Sequence, residues 1–379
     1  MAQNAASGPL IWVHVPQEGA LSPVEDLAKR LISELPALRV LITTQTVPLN
    51  ALQGAITYVK PPTDKRSEVQ PFLARWAPDL CLWTRGAIRP VLLTEVETLG
   101  IPCYLIDAAE ASVSSGRAPW SRLAQRGHLR RFRHLLAQDE RTAQKLASQG
   151  AQAWRIEVTG ALLESAAALP FAAAERDELA EALVSRRLWY GADIPDLEFE
   201  TAVKAHQETL GRAHRTLAVI TPKQLSSAPQ LASIARDQGL RVDMRSETDE
   251  IDPECQLLVA DFPDEHGLWF RLAPVSYLGG TLSTGKCRDP FEPAALGSAI
   301  IHGPALGAYK SKFDRLAHAQ AAKAIGSAAE LGAALSHLGA PDRSAILAHA
   351  AWDASSAGAS AADRVVELAL EALAEREVS

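Results

Sequence analysis

Residues 277–304 read YLGGTLSTGKCRDPFEPAALGSAIIHGP. Val275 to Leu278 is a short apolar run that suits a strand, and Gly279-Gly280 follows it directly. Two glycines after a strand let backbone N–H groups approach a ligand closely, because no Cβ stands in the way. A polar loop then leads to Asp289-Pro290-Phe291-Glu292-Pro293, an acidic opening for a helix. Glu292 in that position can accept hydrogen bonds from two ribose hydroxyls, since both carboxylate oxygens are acceptors. The stretch closes on Ile300-Ile301-His302-Gly303-Pro304, a second strand and its turn. Taken singly, a Gly-Gly pair makes a tight turn and a glutamate favours a helix N-terminus. The ordered series of strand, Gly-Gly, loop, Asp-Pro-x-Glu-Pro, helix, strand and Gly-Pro points instead to a nucleotide site.

The same alternation extends outward on both sides. In the second half, strands are expected at Thr216–Thr221, Leu240–Met244, Leu257–Ala260 and Ala299–Ile301, with a helix over Pro229–Asp237. In the first half they are expected at Leu10–Val15, Leu38–Thr43, Ile56–Val59, Leu80–Trp83 and Cys103–Ile106. Ser22-Pro23-Val24-Glu25 has the pattern of a capped helix start, with Ser at N-cap and Pro at N1. Leu27, Leu31 and Leu35 share one face of that helix, and Pro36 ends it. Ser121–Gln149 is basic and helical in pattern, and carries Arg126, Arg130, Arg131 and Arg133. That face suits plain solvation, or an electropositive surface near an anionic acceptor or lipid headgroup. Repeated β-α units imply parallel sheets covered on both faces. The expected division is 1–180 for an N-terminal domain and 181–360 for a C-terminal one. The boundary falls near 175–188, and a terminal helix over 361–379 packs back on the first domain.

A chain of 379 residues, 47% hydrophobic and 22% charged, is long enough for two such cores. A net charge of -7 argues against a general nucleic-acid binder. The four cysteines, Cys81, Cys103, Cys255 and Cys287, form no CxxC pair and read as reduced thiols of a cytosolic protein. The ten histidines show no metal-ligand spacing, so no metal is expected. His14 and His302 lie in apolar surroundings that suit buried, satisfied histidines. No run is apolar enough to span a bilayer, and the opening MAQNAASGPL reads as a polar lead-in without a signal-peptide pattern.

The stretch around Gly279 resembles the lipid A Kdo transferases, which transfer 3-deoxy-D-manno-octulosonic acid (Kdo). Their segment runs Gly-Gly-Ser-Leu, then Gly-Gly-His-Asn-Pro-Leu-Glu-Pro, a strand and Gly-Pro, and the spacing from Gly279 to Glu292 matches it without a gap. Further matches keep the same order. Ile11-Trp12-Val13-His14 resembles the family's Ile-Trp-Ile-His, and Thr43-Thr44-Gln45-Thr46 its Thr-Thr-x-Thr. Ala137-Gln138-Asp139 resembles Ala-Gln-Ser, and Val158-Thr159-Gly160 resembles Val-Thr-Gly-Asn. Thr221-Pro222-Lys223 stands where the family has Ala-Pro-Arg-His, and Asp261 with Glu265 stands for Asp-Thr-Met-Gly-Glu.

The resemblance implies the GT-B glycosyltransferase fold: two Rossmann-like parallel-sheet domains facing across a cleft. It also implies transfer of Kdo from CMP-Kdo to a lipid A precursor in lipopolysaccharide core biosynthesis, with the CMP-sugar as donor substrate and no separate cofactor. The acceptor would be a lipid at a membrane surface, and the protein cytoplasmic or peripheral on the cytoplasmic face of the inner membrane. Lys223, Glu265, Gly279, Gly280, Thr281, Asp289 and Glu292 would bind the nucleotide sugar. Lys286 and Arg288 are further candidates for the phosphate. The departures gather in the first half. The family's catalytic Glu aligns with Ala20, which leaves Glu18 as the nearest carboxylate for a general base. Its Glu-Thr-Glu-Leu-Trp-Pro is here Arg85-Gly86-Ala87-Ile88-Arg89-Pro90, and its Asn-Ala-Arg-Leu-Ser is Asp107-Ala108-Ala109-Glu110-Ala111. Its Gly-Gly-His-Asn is Lys286-Cys287-Arg288-Asp289, and its N-terminal membrane helix is not seen. Two other readings stay open: a degenerate paralogue that binds nucleotide or a partner without transfer, and a transferase for another acid sugar or acceptor.

Overall fold

The computed structural model describes residues 8–16, 21–47, 52–85, 88–110, 127–164, 169–248 and 250–378. The chain forms two compact units, Met1–Ser165 with Ala357–Ser379, and Ala166–Ser356.

The strands of the first unit are β1 Leu10–Val15, β2 Arg39–Thr44, β3 Leu52–Gln53, β4 Ile56–Val59, β5 Leu80–Trp83, β6 Cys103–Ala108, β7 His134–Ala137 and β8 Ile156–Val158. Its helices are α1 Leu21–Glu34, α2 Arg66–Trp76, α3 Pro90–Thr98 and α4 Glu140–Ser148. The second unit contains α5 Ala173–Leu183, β9 Leu188–Ile194, α6 Phe199–Leu210, β10 Leu217–Pro222, α7 Ala228–Asp237, β11 Val242–Met244 and β12 Leu257–Val259. It continues with α8 His266–Leu272, β13 Val275–Leu278, α9 Phe291–Ala295, β14 Ala299–His302, α10 Lys310–His318, β15 Ala322–Ala324, α11 Ala328–Leu338 and α12 Pro341–Ser356. The last helix, α13 Ala359–Val378, returns to the first unit.

The first sheet has the order β3-β4-β2-β1-β5-β6-β7-β8, and only the short β3 runs antiparallel to its neighbour. The second has the order β11-β12-β10-β9-β13-β14-β15 and is parallel throughout. Both are doubly wound, with helices on both faces, so their strands are buried on two sides and read as continuous apolar runs. Every residue of β1 is buried. Val24, Leu27, Ala28 and Leu31 of α1 and Val365, Leu368 and Ala369 of α13 pack on one face of the first sheet. Val69, Leu73, Leu92, Val96 and Leu146 cover the other. In the second unit Phe199, Val203, Leu231 and Leu335 cover one face. Trp269, Phe270, Phe291 and Phe313 cover the opposite one. This is the two-Rossmann-domain arrangement of the GT-B type.

Three sequence expectations are corrected. The first helix starts at Leu21, so Ser22 and Pro23 lie inside its first turn rather than at N-cap and N1. Proline is tolerated there because its missing N–H would be unpaired in any case. Ser121–Gln149 is not one helix. His134–Ala137 within it is a strand that pairs with β6 and β8, and Glu140–Ser148 forms a separate helix after it. A four-residue apolar run is too short to show a period, and its arginine-rich flanks imitated a helix face. Arg131 and Arg133 there form ion pairs with Glu97 at 3.1 Å and Glu375 at 2.7 Å, while Arg126 lies outside the described residues. Finally β9, the central strand of the second sheet, was not anticipated.

Candidate nucleotide site

In the second sheet the chain leaves β9 toward β10 on one side and leaves β13 toward β14 on the other. The carboxyl ends of β9 and β13 therefore flank the point where strand order reverses, which is where open α/β sheets bind ligands. Gly279 and Gly280 sit there. A Cβ on Gly279 would come within 2.4 Å of the Asp193 carbonyl oxygen and 2.6 Å of Ile194 Cα, so only glycine lets the two strand ends approach. Gly280 has φ +78 and faces the Lys286 carbonyl, a conformation that a side chain would strain.

The loop beyond is tied from beneath. The Gly280 N–H donates to Glu198 Oε2 at 3.0 Å. The Tyr277 hydroxyl donates to the same oxygen at 2.7 Å, and the Ser283 hydroxyl donates to Oε1 at 2.6 Å. Glu198 is 2% exposed and follows β9 in a short 3-10 turn. Thr281 is fully buried; its hydroxyl donates to the Leu278 carbonyl at 2.6 Å and accepts from the Gly303 N–H at 2.8 Å. Asp289 accepts from the Phe291 N–H at 3.0 Å and pairs with Lys312 at 2.6 Å. Thr281 and Asp289 thus spend their polar atoms inside the loop.

Glu292 lies in α9 and is largely buried, with a side chain 13% exposed. Arg288 grips both its oxygens, from Nε at 2.7 Å and Nη2 at 3.1 Å. Burial raises the Glu292 carboxyl above the usual range, against the opposing pull of Arg288. Lys223 directly follows β10, and its ammonium donates to the Lys286 carbonyl; no carboxylate among the described residues pairs with it. Glu265 accepts from Trp269 Nε1 at 3.0 Å and lies 3.5 Å from Arg245 Nε. Burial raises its carboxyl, while Trp269 and Arg245 work against that rise. Asp193 stands at the end of β9 with φ +51. Its oxygens face His266 Nε2 at 3.1 Å and Arg288 Nη1 at 3.5 Å. Burial acts to raise Asp193, but His266, Arg288 and Lys223 together hold it below the ordinary carboxylate range.

Lys223, Gly279, Gly280 and Glu292 are thereby gathered near the carboxyl ends of β9, β10 and β13, with Thr281 and Asp289 behind them. Sequence reasoning missed Asp193, Glu198, His266 and Tyr190. A non-glycine residue with positive φ at a strand end marks Asp193, but that signal exists only in coordinates. A cavity of about 820 Å³ in the same unit, lined by Arg186, Arg245, Ser246 and Phe262 among others, shares none of the residues from Gly279 to Glu292.

Glu18 lies outside the described residues, three positions beyond the end of β1. His14, at that strand end, is fully buried and bonds Thr43 Oγ1 at 2.8 Å through Nδ1, while Nε2 has no partner among the described residues. Burial, helped by Arg89, pushes its imidazole down to about 3. His302 bonds the Gly303 carbonyl at 2.8 Å. In the first unit Asp107, with φ +54, accepts from Arg85 Nε at 2.6 Å, Gln138 Nε2 at 2.7 Å and the Leu162 N–H at 2.9 Å. Among the described residues no group of His, Cys, Asp and Glu is placed to hold a metal ion, and no helix is long and apolar enough to cross a membrane.

The profile of the family described as "3-Deoxy-D-manno-octulosonic-acid transferase (kdotransferase)" matches residues 1–163. The chain is 28% identical over 371 residues to the 3-deoxy-D-manno-octulosonic acid transferase of Bordetella pertussis, covering 92% of this chain and 84% of that one. It is 20% identical over 333 residues to the Haemophilus influenzae protein of the same name, covering 84% and 76%. Among solved structures it is similar to the C-terminal CMP-Kdo binding domain of WaaA from Acinetobacter baumannii, at 19% identity and TM-score 0.43 over 48% of this chain and 97% of that one. The likeness to 3-deoxy-D-manno-octulosonic acid transferases runs over both units of the fold.

Proposed function

We propose that this chain transfers 3-deoxy-D-manno-octulosonic acid from CMP-Kdo to a lipid A precursor, with the donor held by the second unit. The likeness to the 3-deoxy-D-manno-octulosonic acid transferases supports the reaction class. One observation carries the donor site: Lys223, Gly279, Gly280 and Glu292 converge where the strand order of the second sheet reverses. In this reading the Gly279-Gly280 backbone lets the donor approach, Lys223 neutralises the phosphate, and Glu292 accepts from the ribose hydroxyls. Thr281 and Asp289 hold the loop, and Glu265 stands next to His266 at the start of α8. The acceptor oxygen attacks the anomeric carbon of the sugar, the bond from that carbon to the phosphate oxygen breaks, and CMP leaves with the electron pair. The acceptor's proton passes to a carboxylate. Glu18 is the candidate, since a helix starting at Leu21 stabilises an ionised acid just ahead of it. A cytoplasmic protein, peripheral on the inner membrane, suits a lipid acceptor. Turnover of CMP-Kdo by the parent and by Glu18→Gln tests this. The variant is expected to lose about 10²–10⁴-fold in turnover with CMP affinity nearly unchanged. Unchanged turnover moves the base elsewhere.

A second reading is favoured by the first unit. Arg85 and Asp107 both replace residues of the family's pattern, and they are bonded to each other. Groups that the family keeps for its acceptor side are here closed into an internal ion pair. That suits a paralogue that binds nucleotide without transfer, or one that uses another acid sugar or acceptor. CMP binding by the parent without turnover of CMP-Kdo decides for it.

A further inference from the structure

One polar chain of six side chains runs behind the site. The Tyr190 hydroxyl lies 2.8 Å from Thr221 Oγ1 and 2.6 Å from His266 Nδ1. His266 Nε2 faces Asp193 Oδ1 at 3.1 Å, and Asp193 Oδ2 faces Arg288 Nη1 at 3.5 Å. Arg288 then bonds both oxygens of Glu292. With Tyr190 donating to His266 Nδ1 and His266 Nε2–H donating to Asp193, both ring nitrogens of His266 are paired. Tyr190 is fully buried, and burial keeps its hydroxyl protonated by raising it above the usual range.

Stability alone does not account for this arrangement. Asp193 adopts a left-handed backbone that costs a non-glycine residue free energy and persists only where its surroundings impose it. The side chains of Asp193, Arg288 and Glu292 are 22%, 22% and 13% exposed, and partly buried ion networks of this kind are weak stabilisers. The arrangement does fix direction. A guanidinium is planar, and two carboxylates hold Arg288 at Nε, Nη1 and Nη2. Each terminal nitrogen has a second N–H, whose direction is then set, and a phosphate is the group whose oxygens match such an edge. Lys223 acts electrostatically on Asp193 and so lies close by.

We propose that Asp193, braced by His266 and Tyr190, is a positioning residue that holds Arg288 to receive the phosphate of the bound nucleotide, so that the site prefers a nucleotide to its nucleoside. The inference rests on the nucleotide reading of this site. Calorimetry with CMP and with cytidine, on the parent, Asp193→Asn, Arg288→Ala and the double variant, tests it. Arg288→Ala is expected to weaken CMP by about 10–100-fold, and Asp193→Asn by about 5–20-fold, while cytidine changes by less than about threefold in each. The double variant should bind CMP within about twofold of Arg288→Ala, because the two residues act as one unit. Parent-like CMP affinity in Asp193→Asn, equal losses for CMP and cytidine, or multiplying losses in the double variant overturn the proposal. If Asp193→Asn does not fold, His266→Gln is measured instead. A CMP-specific loss of about threefold or more then supports the brace, and parent-like affinity overturns it. A parent that binds neither ligand removes the nucleotide reading itself, a result distinct from a parent that binds CMP with no effect of the variants.

Discussion

Glu292 illustrates how environment sets the work of one side chain. It sits in a short helix whose Phe291 is fully buried, so its backbone is held by the core while its carboxylate meets Arg288. Burial favours the neutral acid and Arg288 favours the ion, and the net effect leaves it easier to protonate than an exposed glutamate. Its carboxyl oxygens can accept from hydroxyl groups. Replacing Glu292 by Ala is expected to weaken CMP binding by about 1–3 kcal/mol, the loss that follows removal of hydrogen bonds to a charged group. Calorimetry with CMP reads this directly, and equal affinity in variant and parent would remove the ribose role. Glu198 works differently: its three donors are all protein groups, and its task is to hold the Gly-Gly turn.

Among the elements, α13 joins the two ends of the sequence. Val365, Leu368, Ala369, Ala372 and Leu373 pack with Ile11, Val13 and Leu31 in one cluster. Arg364 pairs with Glu157 at 2.9 Å, and Arg376 Nη1 donates to the Asp79 carbonyl at 2.9 Å. The first sheet therefore owes one of its covering layers to residues about three hundred and fifty positions away from β1. Leu368 is 2% exposed, so Leu368→Ala is expected to cost about 2–5 kcal/mol in the unfolding of the first unit, as buried leucine truncations do. Urea unfolding followed by fluorescence measures it, with CMP affinity retained because the proposed nucleotide site belongs to the second unit. An unchanged midpoint would mean that α13 does not support the first core in solution.

At the scale of the whole molecule, each unit buries one histidine in a strongly perturbed state. His14 in the first unit is pushed down to about 3, chiefly by burial. His206 in the second is pushed down to about 4 by burial, and accepts from Trp189 Nε1 at 3.1 Å. Both are neutral in the folded state over a range where the unfolded chain takes up a proton. Below the ordinary histidine pKa of about 6.5, the unfolded state binds more protons, so stability falls as pH falls, by about 1.4 kcal/mol per unit for each histidine. The loss continues down to the folded values, and nothing is contributed above 6.5. Between pH 6.5 and 5 most carboxylates stay ionised, and His128, His134 and His302, which are also lowered by burial, add to the fall with the same sign. Urea midpoints for both units are expected to drop across it and to be flat above pH 7. A flat profile from 6.5 to 5 would contradict the neutral, buried assignment.

Local pattern was enough for the architecture, because parallel strands buried on both faces must be continuous apolar runs. Leu10–Val15, Leu80–Trp83 and Val275–Leu278 were therefore legible as strands, and Gly279-Gly280 as the close turn that follows one of them. His134–Ala137 was not, since four residues in a basic setting carry no period. Leu188–Ile194 was hidden because Gly191 and Asp193, both depleted in strands, interrupt its apolar run. Only the tertiary structure decided which groups meet. Tyr190 and Asp193 of β9 meet His266 and Arg288 from two other segments, and nothing in sequence spacing joins the three. Residues gave the chemistry available at each position, while the reversal of strand order decided which of them share a volume, because contact across a sheet depends on topology and not on distance along the chain.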